Sequence, residues 1–125
     1  MSYQIIWKQK GIYVCFRGNL TVTDHTQTSN ALYSDPRIDG IKYIIRDLTG
    51  VSAASISMDD LALPVAIDRG ASHYLSVLRI ALVATNEQTR KLCKMYIDLS
   101  KRFHTHWHFR LFSDAVEAQD WAAIP

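Results

Sequence analysis

The stretch Ile41-Lys42-Tyr43-Ile44-Ile45-Arg46-Asp47-Leu48 decides the fold. It is short, β-branched and aromatic, and Thr49-Gly50 closes it, so it reads as a strand. Upstream, Asp35-Pro36 and Asp39-Gly40 place turn chemistry on either side of Ile38. Downstream, a loop of small residues leads to Ser57-Met58-Asp59-Asp60. A serine cap followed by carboxylates suits the first turn of a helix, because the positive end of the helix dipole favours acids there. That helix is expected to carry Leu61, Val65 and Ala66. Pro64 is tolerable only near its start, and Gly70 ends it or allows close packing.

Working outward, Tyr3 to Lys8 alternates apolar and polar, Lys10-Gly11 interrupts, and Ile12-Tyr13-Val14-Cys15-Phe16 resumes. Two such runs around a glycine turn read as a β-hairpin. A helix starts in Thr21-Val22-Thr23-Asp24 and runs toward Tyr33, with few apolar anchors beyond Val22, Ala31 and Leu32. Val77 to Ala84 is nearly all apolar, as in a strand buried on both faces of a parallel sheet. Thr85 or Asn86 caps the next helix, where Leu92, Met95, Tyr96, Leu99 and Phe103 recur at spacings of three and four. Trp107 to Phe112 is a last strand. Ser113-Asp114 caps a closing helix that offers Val116, Ala118, Trp121 and Ala122 for packing.

The order is ββαβαβαβα, an α/β fold with a mixed, mostly parallel five-stranded sheet and helices packed on it. The chain's 125 residues suit one hydrophobic core, so residues 1–125 are read as a single domain. A formal net charge of +2, with its basic residues scattered along the sequence, argues against nucleic-acid binding. No apolar run approaches the length of a transmembrane helix, and the N-terminus lacks the order of a signal peptide. The only cysteines, Cys15 and Cys93, sit in apolar runs and read as two buried thiols rather than a disulfide. These features place the protein in the cytoplasm.

The element order and three segments resemble the STAS-like fold of anti-sigma-factor antagonists, the SpoIIAA-like group. Tyr43-Ile44-Ile45-Arg46-Asp47-Leu48-Thr49-Gly50-Val51 is similar to the family's apolar strand ending in Asp-Leu-Ser-x-Val, just before the loop with the phosphorylatable serine. Asp35-Pro36-Arg37-Ile38-Asp39 resembles an Asp-Pro-Arg-Phe segment of the broader branch. Phe109-Arg110-Leu111-Phe112-Ser113-Asp114, with Glu117-Ala118 and Trp121, is similar to the closing strand and helix. The family's Asp-Ser-Ser-Gly falls, without gaps, on Ser55-Ile56-Ser57-Met58, so the aspartate, the phosphorylated serine and the glycine are all replaced. A shift of one residue brings Ser55 or Ser57 into place as phosphosite candidates. The resemblance implies a divergent branch that binds ligands or associates with membranes in preference to kinase-driven partner switching.

Each candidate site also has a plainer reading. Ser57 would expose helix N–H groups to an anion, but Asp59 and Asp60 would repel a phosphate and leave a simple N-cap. His104, His106 and His108 alternate as strand residues do and are the one metal-like pattern, without a local carboxylate or cysteine to complete a shell. A solvated edge is the plainer reading, and no metal or other cofactor is expected. Cys15 with His25 would make a nucleophilic pair only if folding joined them, and an apolar setting deactivates a thiol. No nucleophile elbow or phosphate loop is present. Met58, Leu61, Val65, Tyr74 and Tyr96 offer more apolar surface around the second helix than one core-facing stripe needs. They are the expected ligand or partner surface. The expectation is a non-enzymatic regulatory or binding module for a protein partner or a small apolar ligand, with homodimerisation and peripheral membrane contact left open. The alternatives are a phosphorylation-controlled antagonist and a metal enzyme built on the three histidines.

Overall fold

A computed structural model of the chain describes residues 2–75, 77–103 and 106–125. Strand β1 (Ser2–Trp7) turns through Lys8–Lys10 into β2 (Gly11–Thr21), pairing antiparallel from Ser2–Arg17 to Trp7–Ile12. Helix α1 (Val22–Tyr33) follows without a break, and a 3-10 turn (Pro36–Gly40) leads into β3 (Tyr43–Ser55). Then come α2 (Ala62–Ser72), β4 (Arg79–Val83), α3 (Glu87–Lys101), β5 (His108–Phe112) and α4 (Ala115–Ala122).

The sheet order is β1-β2-β3-β4-β5, with every pair after the first parallel. The segment through Asp47 is therefore the central strand, bonded to β2 on one side and β4 on the other. Residues Tyr43 to Leu48 are all buried, because helices cover both faces of the sheet. Alternation sorts them. Ile44 faces a large core with Ile12, Val14, Phe16, Ile80, Leu82 and residues of α1, α2 and α3. Tyr43 and Ile45 face a smaller one with Ala81, Val83, Phe112 and the Ala118 and Ala122 face of α4.

The caps follow sequence chemistry. Thr21 and Asp24 form a reciprocal capping box on α1, Asn86 accepts from the Gln88 and Thr89 amides on α3, and Asp114 accepts from Val116 on α4.

Several boundaries differ from the sequence reading. Strand β3 does not stop at Thr49-Gly50 but runs to Ser55, paired with β2 as far as Thr21. Gly50 is a close approach rather than a turn: a Cβ there would stand 2.9 Å from the Phe16 carbonyl oxygen, at a register shift of β2. Helix α2 does not start at Ser57 but after a 3-10 turn (Asp59–Leu61), so Pro64 is its third residue. Gly70 lies inside α2 with open space around it and neither ends the helix nor admits a neighbour. Ala66, Phe103 and Val116 are exposed, pointing away from the cores they were expected to join. Helix α1 meets the core through Leu32 and also through buried Thr28 and Ser29, which explains its weak apolar signature.

Candidate functional site

The large core contains a polar cluster. Arg46 of β3 and Asp68 of α2 approach to 3.6 Å with side chains only 3% and 0% exposed. Tyr33, the last residue of α1, donates its hydroxyl to Asp68 Oδ1 at 2.7 Å. Tyr96 of α3 donates to Asp68 Oδ2. Arg46 in turn donates to the Tyr96 hydroxyl at 2.9 Å and to the Tyr33 hydroxyl at 3.3 Å. One cation and one carboxylate, bridged by two phenols, thus tie all three helices of this face to the central strand. Burial, then the Asp68 charge, raises the Tyr33 pKa well above its usual value. Burial also raises that of Tyr96, so both phenols stay protonated donors. Burial works against the Arg46 charge, but the Tyr96, Asp68 and Tyr33 oxygens outweigh it and the guanidinium stays protonated.

Beside this cluster, at the C-terminal end of the parallel strands, lies an apolar pocket of ≈50 Å³. Phe16 and Leu20 of β2, Leu48 of β3, Leu61 and Pro64 at the start of α2, and Leu92 and Cys93 of α3 form most of its wall. His25, Arg46 and Tyr96 supply the polar part of the lining. His25 projects from the first turns of α1 between the rings of Phe16 and Tyr96, with centroids 6.4 and 6.3 Å away. Its Nε2 is buried without a hydrogen-bond partner. Burial, reinforced by Arg46, lowers its pKa from 6.5 to about 3, so this imidazole is neutral at physiological pH. Burial pushes the Cys93 thiol up to about 12, which leaves it inert.

The five residues expected as a ligand or partner surface separate into two groups. Leu61, Val65 and Tyr96 are buried, Leu61 and Tyr96 in the pocket wall and Val65 in the core. Met58 and Tyr74 are exposed, one before α2 and one after it. No single surface of those five exists, because the inward stripe of α2 takes Leu61 and Val65. Beside the pocket, Met58 and Leu63 are exposed apolar side chains.

Ser55 closes β3 and Ser57 precedes the 3-10 turn, and both are exposed. Ser55 donates to Asn19 Oδ1 at 3.1 Å. The Ser57 amide donates to Asp60 Oδ2 at 2.9 Å, and the Asp60 amide to Ser57 Oγ at 3.4 Å. This reciprocal pair closes the start of the 3-10 turn, one residue ahead of its N-cap position Met58, and does not cap α2. Asp47 is also structural: its carboxylate accepts from the Tyr13 hydroxyl and from the Thr49 amide and hydroxyl.

His104 lies outside the described residues. His106 precedes β5 and His108 is its first residue, so strand alternation does not extend back to His106. Among the described residues no three metal-ligating side chains gather. Cys15 and His25 fall on opposite faces of the sheet: His25 lies against the Phe16 ring, whereas Cys15, one residue earlier in β2, shares the other face with Gln4, its partner on β1. Cys15 is half-buried and only Cys93 is buried, and both are free thiols.

No protein-family model matches the sequence, and no curated protein matches it. Solved structures do. The chain is similar to the anti-sigma factor antagonist SpoIIAA in its unphosphorylated form, with a TM-score of 0.61 and 14% identity over 96% of each chain. The fold is SpoIIAA-like. The phosphorylated Bacillus SpoIIAA gives a TM-score of 0.61 at 14% identity, covering 96% of this chain and 98% of that one. An uncharacterized DUF3478-family protein with a SpoIIAA-like fold from Shewanella loihica PV-4 gives 0.55 at 23% identity, over 98% of this chain and 93% of that one. Among the described residues, no helix is long and apolar enough to cross a membrane.

Proposed function

We propose that this SpoIIAA-like chain is a non-enzymatic cytoplasmic binding module that receives an apolar group in the pocket between β2, α2 and α3. One observation carries the reading: the pocket opens at the C-terminal end of the parallel strands, between their helices, and its wall is almost entirely aliphatic and aromatic. In α/β sheets this is the end where ligands bind. A volume of ≈50 Å³ accommodates the tip of an aliphatic chain or one inserted side chain rather than a whole ligand. Met58 and Leu63 extend apolar surface outside it for the rest of a small nonpolar ligand or of a partner's recognition segment. Both Asp68 oxygens of the polar cluster behind are held by the Tyr33 and Tyr96 hydroxyls, so the cluster fixes the pocket wall. A phosphate on Ser55 or Ser57 would stand at the same corner; on Ser57 it would repel Asp60 and undo the 3-10 cap.

The test is a methyl-resolved NMR titration of the folded protein with a neutral straight-chain alcohol such as 1-hexanol. Saturable shifts at Leu20, Leu61 and Leu92 are expected, and Leu92→Trp, which fills the pocket from α3, should abolish them. Shifts spread over the surface, or unchanged by Leu92→Trp, would reject the reading.

A further inference from the structure

The opposite end of the sheet holds a feature that apolar recognition does not use. A groove of ≈760 Å³ lies where the parallel strands begin. Four cations line it: Lys8 and Lys10 from the β1–β2 turn, Lys42 just before β3, and Arg79 at the start of β4. They are far apart in sequence, which is why the basic residues look scattered there, and the parallel register brings them together. Arg79 pairs with Tyr43 across β3 and β4, and Tyr43 with Gly11 across β3 and β2. No aspartate or glutamate side chain lines the groove, and none of the four cations joins an ion pair among the described residues.

Two of the cations are held in place by neutral partners. One Arg79 Nη donates to the carbonyls of Trp121 and Ile124, both at 2.9 Å, and the guanidinium lies over the Trp121 ring. Lys8 Nζ donates to Gln119 Oε1 at 3.0 Å and approaches the Tyr13 ring. These contacts orient the two side chains, while Lys10 and Lys42 are exposed at the rim of the groove. The same groove includes exposed Val77 and Ile124, an apolar wall beside the charges.

We propose that this groove binds a phosphate-bearing ligand with an apolar body, its phosphate held between Arg79, Lys10 and Lys42 and its apolar part against Val77 and Ile124. Arginine supplies a planar fork of donors for phosphate oxygens and the lysines supply point charges. The site is independent of the apolar pocket, which lies at the other end of the strands.

The experiment measures binding of two probes to the full chain: soluble hexyl phosphate, by amide shifts at Gly11, Lys42 and Ala123, and vesicles of phosphatidylglycerol in phosphatidylcholine, by co-sedimentation. Lys10→Glu/Lys42→Glu should weaken whichever probe binds by about tenfold or more, because two attractive charges become repulsive. The contact between the Lys42 amide and the Lys10 carbonyl is main-chain and persists in the variant, so folding is preserved. Lys91→Glu/Lys94→Glu, on the exposed face of α3, carries the same net charge change and should leave binding within about twofold. Binding of hexyl phosphate identifies a soluble ester as the ligand class, and binding of vesicles alone identifies a lipid head group. No binding of either probe, or equal losses in the two variants, would overturn the proposal.

Discussion

Asp68 is the carboxylate at the centre of the polar cluster in the large core. It is fully buried, and its two oxygens accept from Tyr33 and Tyr96 while Arg46 stands 3.6 Å away. Asp68→Ala would leave the Arg46 charge buried and unpaired, and such breaks cost about 3–5 kcal/mol. Chemical denaturation should show a loss of that order with little change in slope; a loss below about 1 kcal/mol would mean that the cluster relaxes into solvent. His25 makes a second residue-scale prediction. Its folded pKa of about 3 lies below the ordinary 6.5, so the unfolded chain binds the proton more readily across that window. Stability is therefore complete above pH 6.5 and falls as pH drops toward 3. Between about pH 6.5 and 5 the carboxylates contribute little slope, so a stability series there isolates His25, and His25→Leu should flatten it.

At the scale of elements, two glycines separate sterics from propensity. A Cβ on Gly11 would fall 2.0 Å from the Tyr43 ring, across the β2–β3 pair. Gly11→Ala must displace that ring from the smaller core and should lower the melting temperature clearly, by an overpacking cost of about 1–3 kcal/mol. Gly70 is helical with nothing near its missing Cβ. Gly70→Ala should raise stability by about 0.5–1 kcal/mol. Thermal denaturation of both variants checks the pair, and equal signs would contradict the packing described. The elements themselves were largely legible in the sequence. Ile41–Leu48 reads as a strand because it is short, β-branched and aromatic, and Thr85 or Asn86 and Ser113-Asp114 read as caps from local chemistry alone, of which Asn86 and Asp114 are the residues that cap. The continuation of β3 to Ser55 was hidden because Gly50, a residue that normally marks turns, serves there to let β2 approach. The polar cluster left no local signal: Tyr33, Arg46, Asp68 and Tyr96 belong to four elements, and neither Arg46 in a strand nor Asp68 on a helix betrays burial until the topology converges them. Tyr96 alone was singled out, and for its apolar ring rather than its hydroxyl.

On the scale of the whole molecule, a SpoIIAA-like sheet separates two ends of different character. Helix N-termini with Asp24, Asp59, Asp60, Glu87 and Asp114 nearby lie at the end where the parallel strands finish, the same end as the apolar pocket. Lys8, Lys10, Lys42 and Arg79 gather where the strands begin. The helix dipoles favour the acids at the first end, and the register alone assembles the cations at the second. The proposed apolar recognition belongs to the end after β3, and the direct measurement is a crystal structure of the protein soaked in 1-hexanol. The tip of the alkyl chain should occupy the space between Leu20, Leu61 and Leu92, with the Arg46–Asp68 cluster undisturbed. An empty pocket in crystals that take up the alcohol elsewhere would contradict the assignment.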